Sequence, residues 1–77
     1  MPTVFSIKGY RFFFFTREGS EPMHVHIAKA QKYAKFWLNP ITLGKNYGFI
    51  SKELTEIRNL IAENHDLIKE KWDEYFS

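Results

Sequence analysis

Hydrophobic and polar positions follow a period of two through the first half of this chain and a helical period through the last third. Residues 10–16 alternate most clearly, with Tyr10/Phe12/Phe14/Thr16 on one face and Arg11/Phe13/Phe15/Arg17 on the other. Gly9 and the polar run Arg17-Glu18-Gly19-Ser20 bound this stretch, and its aromatic residues favour a strand. Both faces are apolar at the middle, which predicts a central strand covered on both sides. Residues 4–7 predict a shorter strand before it, with Lys8-Gly9 as the turn. Residues 23–28 predict a third, with Met23/Val25/Ile27 on one face and His24/His26/Ala28 on the other. A loop at Lys29-Ala30-Gln31 leads to a strand over residues 32–38, where Ala34/Phe36/Leu38 alternate with Tyr33/Lys35/Trp37. Asn39-Pro40 ends it, because proline cannot donate to a ladder.

Residues 41–50 break the pattern. Gly44, Asn46 and Gly48 are turn formers, and Ile41, Leu43, Tyr47 and Phe49 are spaced to anchor a loop or a short edge strand. Beyond them, Leu54, Ile57, Leu60 and Ile61 fall at helical spacing, with Ser51 as the expected N-cap and Glu53 in the first turn. Asn64-His65-Asp66 predicts a break and a second helix, whose apolar face holds Leu67, Ile68, Trp72 and Tyr75 or Phe76. The expected fold is therefore α+β. A small antiparallel sheet of three to five strands is followed by a C-terminal helix pair packed on one face. One domain spans residues 1–77, mainly strands over 1–50 and helical over 51–77.

Composition changes this picture in two ways. A chain of 77 residues buries a limited fraction of its surface, and there is no cysteine to staple it. Aromatic residues make up 18% of the chain, enough for a dense ring-rich core to substitute. Absence of cysteine also rules out thiolate zinc sites and fits a cytoplasmic location. No apolar run is long enough to span a bilayer, so no membrane association is expected. The net charge of +2 is unevenly placed. Residues 1–48 carry seven Lys/Arg against two acids, a net +5, whereas the rest carries four against seven, a net −3.

Candidate chemistry centres on Glu21-Pro22-Met23-His24-Val25-His26. On a strand, His24 and His26 share a face with Cα atoms roughly 6.6 Å apart. Two imidazoles so placed suit general acid–base work on a phosphodiester. One takes the proton of a ribose hydroxyl and the other donates to the leaving oxygen, since imidazole titrates near neutrality. They also suit metal chelation, but zinc needs three or four ligands, and only Glu21 and the distant His65 and Asp66 offer themselves. No metal set and no cofactor is expected on these grounds. A packed structural pair is the third alternative. Arg11 and Arg17 on the preceding strand and Lys35 on the following one are candidate phosphate contacts. Glu21 is a candidate to orient an imidazole, and Tyr47, flanked by turn residues, is the ring best placed for a ligand. Phosphate-binding glycine loops, nucleophile elbows and helical zinc motifs are missing.

Several segments together resemble a bacterial family of unknown function, number 4160. They are Met1-Pro2-Thr3-Val4-Phe5, Gly9-Tyr10-Arg11-Phe12-Phe13-Phe14-Phe15 and Glu18-Gly19-Ser20-Glu21-Pro22-Met23-His24-Val25-His26-Ile27. Ala34-Lys35-Phe36-Trp37-Leu38, Asn46-Tyr47-Gly48-Phe49 and the Leu54/Ile57/Ile61, Trp72, Phe76 tail extend the likeness over nearly the whole chain. The resemblance implies a gene encoded beside another small protein, as in a toxin–antitoxin module. It carries no established catalytic residues. The resulting expectation is a toxin-like component acting on RNA, a metal-independent ribonuclease with His24 and His26 as its acid–base pair. The alternative is a non-enzymatic binding or regulatory module for a protein partner or nucleic acid, with or without a stabilising metal.

Overall fold

The computed structural model describes residues 3–16 and 19–76. Five strands precede two helices: β1 (Thr3–Ile7), β2 (Tyr10–Phe13), β3 (His24–Lys29), β4 (Lys32–Leu38), β5 (Ile41–Tyr47), α1 (Ser51–Glu63) and α2 (His65–Phe76). The strands form one antiparallel sheet in the order β1-β2-β3-β4-β5, each neighbour in space being the neighbour in sequence. The α+β class and the order of sheet then helices are as the sequence predicts.

Three of the four strand connections are two-residue turns. Lys8-Gly9 joins the Ile7↔Tyr10 pair with both residues at positive φ, 54° and 85°, the twist that suits a tight hairpin. Ala30-Gln31 joins Lys29↔Lys32, with Ala30 at φ 54°. Asn39-Pro40, a cis peptide, joins Leu38↔Ile41. The fourth connection, residues 14–23, is long.

Alternation within the strands divides the sheet into two faces. Tyr10, Phe12, Val25, Ile27, Ala34, Phe36 and Leu38 point to the helices and are buried with Ile57, Leu60, Ile61, Ile68 and Trp72 in one core. α1 ends at Asn64, whose side-chain amide donates to the Leu60 carbonyl at 2.8 Å. The Asn64 carbonyl then accepts the Ile68 N–H at 3.0 Å and starts α2, so the break falls where the sequence places it.

Four details depart from the sequence reading. The strand expected over residues 10–16 stops at Phe13. Phe14 leaves the ladder and is buried edge-on against Trp72, with ring centroids 5.3 Å apart, because packing on α2 outweighs further pairing. The N-cap of α1 is Ile50, not Ser51; the Glu53 carboxylate accepts the Ile50 N–H at 3.1 Å, so the cap comes from the first turn. Residues 41–47 form a full edge strand. A bulge there shifts the register between Lys35↔Lys45 and Phe36↔Leu43 and leaves Gly44 as the extra residue, which hides the period of two. Finally, β3 starts at His24, one residue later than expected, and runs on to Lys29.

Candidate functional site

The second face of the sheet carries no helix, and every described candidate with chemistry from the strands lies on it. Register fixes three rows across the strands. Arg11, Ala28, Tyr33 and Tyr47 make one, and Phe13, His26, Lys35 and Lys45 the next. His24, Trp37 and Thr42 make the third. His24 and His26 are thus side by side, as the spacing predicts, with ring centroids 5.0 Å apart at nearly a right angle.

Both imidazoles are buried, with 0% of His24 and 2% of His26 exposed. Neighbouring rings achieve this. Phe15 lies 4.3 Å from the His26 ring between centroids, with Phe13 and Tyr33 stacked against it at 5.5 and 5.7 Å. Trp37 meets His24 edge-on at 5.3 Å. Trp72 reaches round the end of the sheet to meet the same ring at 5.2 Å, so one indole touches the core through Phe14 and the histidine face through His24.

Hydrogen bonds orient the pair. His24 Nδ1 lies 2.9 Å from the Pro22 carbonyl, which can only accept, so Nδ1 carries a proton. His26 Nδ1 lies 2.6 Å from the Tyr33 hydroxyl. Glu21 forms an ion pair with Lys35 at 3.3 Å, and the orienting of the imidazoles falls to Pro22 and Tyr33. Lys35 Nζ also sits 4.3 Å over the Trp37 ring, and the Arg11 guanidinium sits 4.4 Å over Phe13. Tyr47 is 62% exposed and stacks on Tyr33 at 5.9 Å. Arg17, the remaining expected phosphate contact, lies outside the described residues.

The structure therefore gathers His24, His26, Lys35, Glu21, Arg11 and Tyr47 on one face. Sequence reasoning overlooked Tyr33 as the partner of His26. The signal was available: a tight turn at Ala30-Gln31 pairs Ala28 with Tyr33, which sets Tyr33 diagonal to His26 on the same face. His65 stands apart, its Nε2 donating to the Leu38 carbonyl at 3.0 Å. Among the described residues, no group of three or more His, Asp or Glu side chains is placed to hold a metal ion.

These features define a small protein with a five-stranded meander, two helices behind it, and a histidine pair under a roof of rings on the open side. The family model described as Domain of unknown function (DUF4160) matches residues 9–73, and the chain belongs to that family. No curated protein and no solved structure matches it.

Proposed function

We propose that the protein is an RNA-directed, toxin-like component of a bacterial two-gene module, acting in the cytoplasm and holding single-stranded RNA on its helix-free face. Arg11, Lys35 and Lys45 lie on that face beside the exposed Tyr47, which stacks on the half-buried Tyr33, and this juxtaposition supports the proposal. Cations track a phosphate backbone while ring faces stack on bases without regard to sequence. A phosphate arriving at Lys35 would take the place of the Glu21 carboxylate. In the ribonuclease form of the proposal, the rings over the histidines also move aside to admit the phosphate. One imidazole then removes the ribose 2′-hydroxyl proton as that oxygen attacks phosphorus, and the other protonates the departing 5′-oxygen.

The burial of both imidazoles supports the second reading, a binding module in which the pair is structural. One set of measurements separates them. A fluorescent single-stranded RNA is titrated with the protein at low and high salt, alongside Tyr47→Ala and Lys45→Ala. Binding that weakens with salt and falls at least about fivefold in each variant is expected, since a base–aromatic stack is worth about 1–3 kcal/mol. No binding at low salt overturns RNA direction altogether. Cleavage is then followed for the protein and for His24→Gln and His26→Gln variants checked for folding by circular dichroism. Cleavage lost in both folded variants supports the acid–base role. Cleavage retained in both overturns the acid–base role of the pair, and cleavage absent in all leaves the binding module.

A further inference from the structure

β5 is an edge strand of seven residues, exposed along almost all of its length, and among the described residues no strand lies on its outer side. Beside it, between the strand and α1, runs a groove of about 240 Å³ lined by Phe36, Leu43, Ser51, Leu54, Thr55 and Arg58. An edge strand next to a helix-walled apolar groove is the geometry that accepts an extended peptide. Main-chain hydrogen bonds add it to the sheet, and alternate side chains enter the groove.

The charge around this edge selects the peptide. Arg58 stands in the groove wall, its Nη1 donating to the Ile41 carbonyl at 2.8 Å and its guanidinium 5.7 Å over the Phe36 ring. Lys45 projects on the opposite side of the strand, in the row of Lys35. Neither the strand nor the groove lining contributes a carboxylate. The nearest acid on α1, Glu53, is already held by Lys32 at 2.7 Å and by the Ile50 N–H. Ile50, 62% exposed, and Leu43, 38% exposed, extend the apolar surface along the same edge. A second copy of the chain paired through β5 would bring Arg58 and Lys45 of each copy together with no acid to meet them. An acidic strand meets both cations.

We propose that the β5 edge and the β5–α1 groove form a docking site for an extended, acidic segment of a protein partner, in which aliphatic side chains alternate with carboxylates. The aliphatic side chains enter the groove against Leu43 and Leu54 and the carboxylates on the other face of the added strand meet Lys45, while the Arg58 guanidinium in the groove wall adds positive potential along the same edge. This site adjoins the proposed RNA face through Lys45 and Tyr47, but Leu43, Leu54 and Arg58 belong to it alone, and it does not depend on RNA binding.

The probe is a capped synthetic octapeptide of alternating Leu/Val and Asp/Glu, with a counterpart carrying Lys in place of the acids. Each is titrated into the ¹⁵N-labelled full chain. Shift changes confined to residues 41–47 and 50–58, with the acidic peptide alone, are expected. Arg58→Glu and Leu43→Asp, both on exposed positions, should each weaken acidic-peptide binding at least about tenfold, a difference of about 1.4 kcal/mol. RNA binding is unchanged in Arg58→Glu, so this test and the preceding one fail separately. Equal binding of the lysine peptide, shifts elsewhere, no shifts at millimolar peptide, or β5 resonances that move with protein concentration alone would each overturn the proposal. The last outcome assigns the edge to a second copy.

Discussion

The Tyr33 hydroxyl lies 2.6 Å from Nδ1 of His26 and joins the only half-exposed ring of β4 that stacks on this histidine to a group 2% exposed. A buried polar atom that loses its partner costs about 1–3 kcal/mol. Tyr33→Phe keeps the ring stack and removes the hydroxyl that bonds His26. A fall in Tm of roughly 4–24 °C is expected, given about 4–8 °C per kcal/mol for a domain of this size. The tautomer of His26, read from its ring ¹⁵N shifts, should change in the same variant. An unchanged Tm and unchanged ring shifts would show that the bond does not hold His26.

Stability should fall at both extremes of pH, for different groups. The Tyr10 hydroxyl donates to Glu56 at 2.8 Å, and that bond, with Lys8 3.5 Å away, holds the Glu56 carboxyl below its ordinary value. Lys32 and the Ile50 N–H do the same for Glu53. A carboxylate with a lowered folded pKa stabilises the protein above the ordinary value of 4.5, and its contribution is lost as the pH falls through the lower folded value. Burial, then the bond to Glu56, pushes Tyr10 up from 10.0 to about 12. Its contribution is present below pH 10 and is lost as the pH rises through about 12. Urea midpoints across pH should show both losses. Tyr10→Phe should flatten the alkaline limb, and Glu56→Gln, which can still accept from Tyr10, should reduce the acid one.

Ala30 adopts a left-handed backbone, φ 54°, at an exposed turn position. An L-residue with a Cβ is disfavoured there by about 1–2 kcal/mol, and glycine relieves this at some cost in unfolded-chain entropy. Ala30→Gly should raise the urea midpoint, by roughly 0.5–1 kcal/mol of net stability. Gly48→Ala should do the opposite. Its φ is +97°, and a Cβ there would sit 3.0 Å from Lys32 Cγ. Equal midpoints for the Ala30→Gly variant and the parent chain would refute the strain assigned to this turn.

The alternation of Val25/Ile27 against His24/His26 and of Ala34/Phe36/Leu38 against Tyr33/Lys35/Trp37 made the two sheet faces legible, because burial on one side enforces a period of two. The helix break was legible for the same reason that Asn64 works: its amide and carbonyl serve two helix ends at once. β5 was not, because the bulge at Gly44 shifts its alternation by one residue. The roof over the histidines was illegible in principle. Phe15 belongs to a long connection, and Trp72 comes from the far end of the chain, so no local pattern places either against His24 or His26. The sequence located the pair and its face; only tertiary packing decides that solvent is excluded from it.

A meander whose every strand pairs with its neighbour in sequence closes three two-residue turns and one longer loop, so the sheet should assemble rapidly, hairpin by hairpin. The two helices that cover its apolar face come last in the chain. During synthesis, therefore, Phe12, Val25, Ile27 and Phe36 are translated well before Ile57, Ile61, Ile68 and Trp72 exist to shield them. The nascent sheet exposes its apolar face until the helices follow, and a chain interrupted before α2 should aggregate even though all five of its strands are complete.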